Sequence, residues 1–161
     1  MTQHSIAHGV FHIERTYPDV TPRRVFDAFA TESGKAAWFV AGGNTWTLLE
    51  REFDFRPGGR ERLKTRWESG IVTMFDAIYF DITPGERIVY AYDLWHDDRK
   101  LSVSLATLEF HAVDGGTKFK LCEQGAFLDG YDDAGAREHG TNELMDRMEA
   151  TLSEPVGVAR P

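Results

Sequence analysis

From Trp46 to Phe127 apolar and polar residues alternate with a period of two, the spacing of strands that turn one face to a core. Turn residues cut this stretch into six expected strands, near 46–56, 60–68, 71–82, 86–96, 99–113 and 117–127. The breaks fall at Pro57-Gly58-Gly59, Glu68-Ser69-Gly70, Thr83-Pro84-Gly85, Asp97-Asp98 and Asp114-Gly115. Partial alternation over residues 8–17 predicts one more strand ahead of them. Between that strand and Trp46, Thr21 is placed as an N-cap with Pro22 in the first helical position, and Val25, Phe26 and Phe29 form an apolar stripe. A second short helix is expected over 33–40, carrying Trp38 and Phe39. A Gly- and Asp-rich loop over 128–135 leads to a long helix over 136–153, stopped by Pro155.

Charges suggest how the hairpins align. A three-residue loop at Pro57-Gly58-Gly59 sets Asp54 opposite Arg62, Glu52 opposite Lys64 and Glu50 opposite Arg66, so that opposite charges meet at each step. The other face then pairs Phe55 with Glu61, Phe53 with Leu63 and Arg51 with Thr65. A two-residue loop at Asp114-Gly115 pairs His111 with Lys118 and Glu109 with Lys120 outside. Inside it pairs Phe110 with Phe119, Leu108 with Leu121 and Ala106 with Glu123. A three-residue loop at Thr83-Pro84-Gly85 pairs Asp81 with Arg87 outside, and Phe80 with Ile88 and Ile78 with Tyr90 inside. The result is a sheet with a charged convex face and an apolar concave face, which must bury against something. The last helix offers Thr141, Leu144, Met145, Met148 and Leu152 at spacings of three and four.

Composition narrows the class. The chain has 161 residues, 42% hydrophobic and 12% aromatic, which suits a single domain spanning 1–161 with an ordered core about 8–154. A net charge of -8 argues against a nucleic-acid partner, which calls for a basic face. The lone Cys122 permits no internal disulfide, in keeping with a reducing, cytoplasmic setting. The opening residues lack the basic start and apolar core of a signal peptide, and no apolar run is long enough for a membrane span. The expected partner is a small hydrophobic or aromatic molecule, with no nucleic acid, no membrane and no cofactor, in a monomer or homodimer.

Several segments resemble one family. Arg15-Thr16-Tyr17 followed by Thr21-Pro22-Arg23-Arg24-Val25-Phe26 resembles the opening strand and helix of the START-like (SRPBCC) helix-grip superfamily. Asp54-Phe55-Arg56-Pro57-Gly58-Gly59, Pro84-Gly85-Glu86-Arg87-Ile88-Val89-Tyr90, Glu123-Gln124-Gly125 and the helix with Leu144, Asp146 and Met148 resemble its later signatures. Together they cover roughly 10–152 and are similar to the subgroup of the C-terminal domain of the activator of the heat-shock protein 90 ATPase. The resemblance implies an α+β helix-grip fold, a curved antiparallel sheet wrapped around a long C-terminal helix with two short helices between the first two strands. It also implies an internal cavity. Some close members carry Gly-Trp where this chain has Gly140-Thr141, a change expected to widen that end of the cavity or leave it more polar. The superfamily holds carriers and aromatase/cyclase enzymes, so fold alone does not choose the function. The eukaryotic activator uses a separate N-terminal domain to contact the chaperone, and this chain by itself is not expected to stimulate that ATPase.

Candidate chemistry is sparse. The six histidines are scattered without metal-pair spacing, so no metal site is expected. Cys122 alternates outward with no histidine beside it in sequence, and the glycine pairs belong to turns rather than a phosphate cradle, so no catalytic residue is assigned. What remains is polar groups on the concave face: Arg51, Glu61 and Glu123, with Asp76 and Tyr92 as further candidates. A buried charge must be paired or shifted in pKa, and a polar anchor in an apolar pocket is the usual design of a ligand site. The candidate ligand-binding set is Trp38, Phe39, Arg51, Phe53, Glu61, Leu63, Tyr90, Tyr92, Phe110, Glu123, Phe127, Tyr131, Thr141, Met145 and Met148. Trp38, Phe39 and the loop from Phe127 to Tyr131 are expected at the mouth. Glu123 is expected to enter the cavity opposite the small Ala106 and to reach Arg51 or another donor, or to hold its proton. The leading expectation is a small-molecule-binding protein. A polyketide cyclase or hydrolase using a pocket carboxylate is the second, and a chaperone-interaction module the third.

Overall fold

The six strands from Trp46 onward pair in sequence order, and the first strand closes against the last, so their alternating apolar positions share one concave surface. The computed structural model describes residues 4–39 and 45–153. Its elements are β1 (Ile6–Pro18), α1 (Pro22–Ala30), α2 (Glu32–Ala36), β2 (Trp46–Phe53), β3 (Arg60–Trp67), β4 (Val72–Thr83), β5 (Arg87–His96), β6 (Arg99–Val113), β7 (Gly116–Leu128) and α3 (Ala134–Leu152). The strands form one antiparallel sheet in the order β1-β7-β6-β5-β4-β3-β2. The short helices carry the chain from β1 to the far edge, and the meander returns until β7 lies against β1. This is the α+β helix-grip fold, with the curved sheet around α3.

The hairpin at Asp114-Gly115 has the expected register throughout, from Val113 opposite Gly116 to Ala106 opposite Glu123. The other two differ. At Pro57-Gly58-Gly59 the pairing is displaced by two residues: Glu52 faces Arg62, Glu50 faces Lys64 and Phe53 faces Glu61. A longer loop explains it. The Asp54 N–H donates to Arg60 C=O, and the loop closes against β4 through Gly58 N–H to Tyr79 C=O and Tyr79 N–H to Gly59 C=O. Gly58 is left-handed at φ 82, and a Cβ on Gly59 would lie 2.0 Å from the Asp54 oxygen, so the tight closure demands both glycines. A shift of two keeps each side chain on its face, and Leu63 stays buried.

The hairpin at Pro84 overturns an expectation. Its loop is Pro84-Gly85-Glu86, closed by Thr83 opposite Arg87, and a bulge at Phe80 exchanges the faces of β4 beyond it. Tyr79 and Ala77 are buried, whereas Ile78 and Phe80, expected inside, are exposed. The same exchange puts Asp76 on the convex face, where Arg62 holds it at 3.0 Å. The convex face is also less charged than expected. Val10, Leu105 and Ile78 lie along one row of paired residues and are all exposed.

Thr21 caps α1 by accepting from Arg24 N–H, and Asp133 caps α3 by accepting from Ala136 N–H. The expected second helix is shorter than 33–40: α2 ends at Ala36, Trp38 and Phe39 follow in a turn, and Val40 lies outside the described residues. Trp38 is not at a mouth; it is buried, with its indole N–H on Ala28 C=O. On α3 the buried side chains are Arg137, Thr141, Met145, Met148 and Leu152. Arginines fix the helix from outside. Arg15 of β1 reaches Asp146 at 2.8 Å, and Arg24 of α1 donates to Thr151 C=O at the helix C-terminal end, where a cation is favoured.

Met148 has no solvent exposure and belongs to the main core cluster. Met148→Ala is expected to lower the unfolding free energy by ~2–5 kcal/mol in chemical denaturation. A loss under ~1 kcal/mol would place the helix off the sheet.

Candidate functional site

Glu123 of β7 ends the inward row Phe119, Leu121, Glu123 and sits opposite Ala106 of β6, as the register requires. Ala106 lacks the bulk to cover it, and the space is taken by Tyr92 of β5, whose phenol donates to the Glu123 carboxylate. The Tyr92 oxygen accepts in turn from Arg137 Nη1 at 2.8 Å. Arg137, in the first turns of α3, also donates through Nη2 to Ser102 Oγ at 2.7 Å and to Asp132 at 2.8 Å. Its Nη1 lies 3.6 Å from Glu123, and its guanidinium packs on the rings of Tyr92 and Phe127. A cation near a helix N-terminus opposes the helix dipole, so the two carboxylates are what hold it there. Burial pushes the Glu123 carboxyl above its ordinary pKa, against the opposing pull of Tyr92 and Arg137.

A second buried carboxylate, Glu61 of β3, is met by Lys35 of α2 at 2.9 Å and by the Tyr79 hydroxyl at 2.5 Å. Burial, then the Glu61 charge, raises the Tyr79 phenol, so it stays a donor. The Lys35 ammonium also lies 4.5 Å from the centre of the Phe39 ring. Arg51, expected as a carboxylate partner, is not the one Glu61 uses. It borders a shallow crevice with Phe53 and Glu61 on the far side of Lys35.

Between the two clusters lies a pocket of about 360 Å³. Of the residues named from the sequence, Trp38, Phe39, Leu63, Tyr90, Tyr92, Glu123, Thr141 and Met145 line it. Arg51, Phe53 and Glu61 border the crevice instead. Phe110 and Met148 are packed in the core, because the α1 aromatics Phe26 and Phe29 cover that end of the sheet. Phe127 is buried under Arg137, and Tyr131 stands exposed with Arg99 stacked on it. Sequence reasoning missed Lys35, Tyr79 and Arg137. Arg137 had a signal, since extending the α3 stripe back by four from Thr141 lands on it. Lys35 and Tyr79 had none, because a lysine on a short helix reads as solvated and the bulge decides where Tyr79 points.

Among the described residues no group of three or more His, Cys, Asp or Glu side chains is placed to hold a metal ion. No helix among them is long and apolar enough to cross a membrane.

The family described as "Activator of Hsp90 ATPase homolog 1-like protein" matches residues 19–153. The chain belongs to this family. The activator-like fold recurs in solved structures. A Rhizobium leguminosarum protein is 41% identical with a TM-score of 0.87, over 94% of this chain and 98% of its own. The Mll3558 protein of Rhizobium loti is 40% identical with a TM-score of 0.85, over 92% and 99%. Protein CV1439 of Chromobacterium violaceum, at 22% identity and a TM-score of 0.73 over 91% and 98%, shares the fold. No curated protein matches the chain.

Glu123 gives this family member a pH signature. Its carboxyl binds a proton more tightly folded than unfolded, so its contribution to stability falls as pH rises from the ordinary carboxylate range through the raised value. Glu123→Gln removes that titration. The unfolding free energy of the parent relative to Glu123→Gln is expected to decline across that window, and a difference independent of pH would contradict the assignment.

Proposed function

We propose that this chain binds a small hydrophobic or aromatic molecule in the pocket between the sheet and α3. The observation that carries the reading is the pocket itself. Its size falls within the range of ~300–1,000 Å³ typical of small-molecule sites. Its walls are largely aromatic and aliphatic, with Phe39, Leu63, Phe75, Tyr90, Leu121 and Met145 among them. The buried polar groups at its two ends are paired with one another, so an apolar guest meets no buried stranded charge. Acid–base chemistry at Glu123 is a second reading. It is favoured by the raised carboxyl pKa and by the Tyr92–Arg137 relay that could hold either protonation state.

Thr141 lines the pocket from α3. Thr141→Trp is expected to fill that end. With N-phenyl-1-naphthylamine, a neutral fluorophore, the parent should show saturable one-to-one binding. The variant should bind at least ~10-fold more weakly, a loss of about 1.4 kcal/mol, with an unchanged circular dichroism spectrum. Absence of saturable binding to the parent, or equal affinity in a folded variant, would overturn the reading.

A further inference from the structure

Polar side chains around the pocket fall into closed groups. Lys35, Glu61 and Tyr79 satisfy one another. Tyr92, Glu123, Arg137, Ser102 and Asp132 form a second set. Thr65, Thr73 and the Trp67 indole form a third. Tyr90 stands apart. It is half-buried, it lines the pocket, and among the described residues its hydroxyl has no hydrogen-bond partner. Its ring lies between those of Tyr79 and Tyr92, at 5.9 and 6.0 Å, hence between the two carboxylate clusters. Burial, then the neighbouring Glu123, Tyr92 and Glu61, raises the phenol well above its ordinary pKa, so it remains an O–H donor.

The charges around the pocket restrict its guest. Lys35 is matched by Glu61, and Arg137 by Glu123 and Asp132. Arg147, half-exposed, turns its Nε to the Trp38 carbonyl and pairs with no carboxylate among the described residues. A full charge placed between the two buried clusters would have to break one of these pairs or stay uncompensated in a low-dielectric site. A neutral guest disturbs none of them.

We propose that the Tyr90 hydroxyl is the specificity-determining donor of this pocket, and that its ligand is a neutral, planar aromatic molecule whose carbonyl oxygen accepts that hydrogen bond. This rests on the pocket-binding reading above. The flat ring surfaces of Phe39, Phe75 and Tyr90 favour a planar body. A neutral donor left unmet among the aromatic walls discriminates against an analogue with no acceptor, because the donor would then be left dry.

Three probes of similar shape separate the possibilities: 2-acetylnaphthalene, 2-ethylnaphthalene and 2-naphthoate, titrated into the parent and Tyr90→Phe. The parent is expected to prefer the ketone over the hydrocarbon by about 5–10-fold, as one added hydrogen bond gives, and to bind the carboxylate most weakly. Tyr90→Phe removes only an unbonded oxygen, so the fold is kept. It should abolish the preference, with 2-ethylnaphthalene bound at least as tightly as by the parent, since no donor is then left dry. The carbonyl stretch of bound 2-acetylnaphthalene should sit lower in the parent than in Tyr90→Phe. Equal affinity of the parent for ketone and hydrocarbon, a preference that survives in Tyr90→Phe, or tightest binding of the carboxylate would overturn the inference and leave the pocket reading standing. Binding of none of the probes to the parent would overturn both.

Discussion

The concave face carries two carboxylates, Glu61 and Glu123, that the fold takes almost wholly out of water. Leaving either one charged and unpaired would cost more than any single apolar contact returns. Each is therefore met by a cation from a helix: Lys35 from α2 and Arg137 from α3. A tyrosine of the sheet adds a phenol to each, Tyr79 from the strand beside Glu61 and Tyr92 from two strands away from Glu123. These two clusters fix where the helices meet the sheet. They stand at opposite walls of the pocket, with Tyr90 between them, and an apolar space is left where neither reaches. The rest of α3 is held by ordinary means, a core of Met145, Met148 and Leu152 and the outer arginines.

This arrangement accounts for a mixed pocket. Its walls are apolar, yet charged groups stand at its edges, and the buried ones, Lys35, Glu123 and Arg137, are each already committed to a partner. A site of this kind does not draw in a charged guest through an unused ion. It selects by shape and by whatever hydrogen-bond capacity is left over, and Tyr90 holds that remainder. The convex face, with Val10, Ile78, Phe80 and Leu105 exposed among its ion pairs, plays no part in this selection.

Much of the fold was legible in the sequence because local chemistry agreed with the tertiary answer. Asp114-Gly115 leaves room for one short loop, and the whole β6–β7 register follows from it. The α3 stripe follows from spacing alone. Two features were not legible for physical reasons. At Tyr79-Phe80 both residues are aromatic and either could face inward, so alternation cannot locate the bulge; the choice is made by the loop at Gly58-Gly59 and by the Glu61 carboxylate, both distant in sequence. The partner of Glu61 was equally hidden. Arg51 lies on the neighbouring strand, but Lys35 arrives from a helix whose position only the assembled core decides. Glu123 was legible as a pocket carboxylate, because the hairpin set its face and Ala106 left it room.

The account stands most directly on the coupling between Arg137 and Glu123. A double-mutant cycle with Arg137→Met, Glu123→Gln and the combined variant, followed by chemical denaturation at neutral pH, measures it. The predicted coupling free energy is ~1–3 kcal/mol, the scale of a shared buried network. Additive losses, with coupling within ~0.3 kcal/mol of zero, would mean that the pair does not hold α3 to the sheet, and would contradict the account.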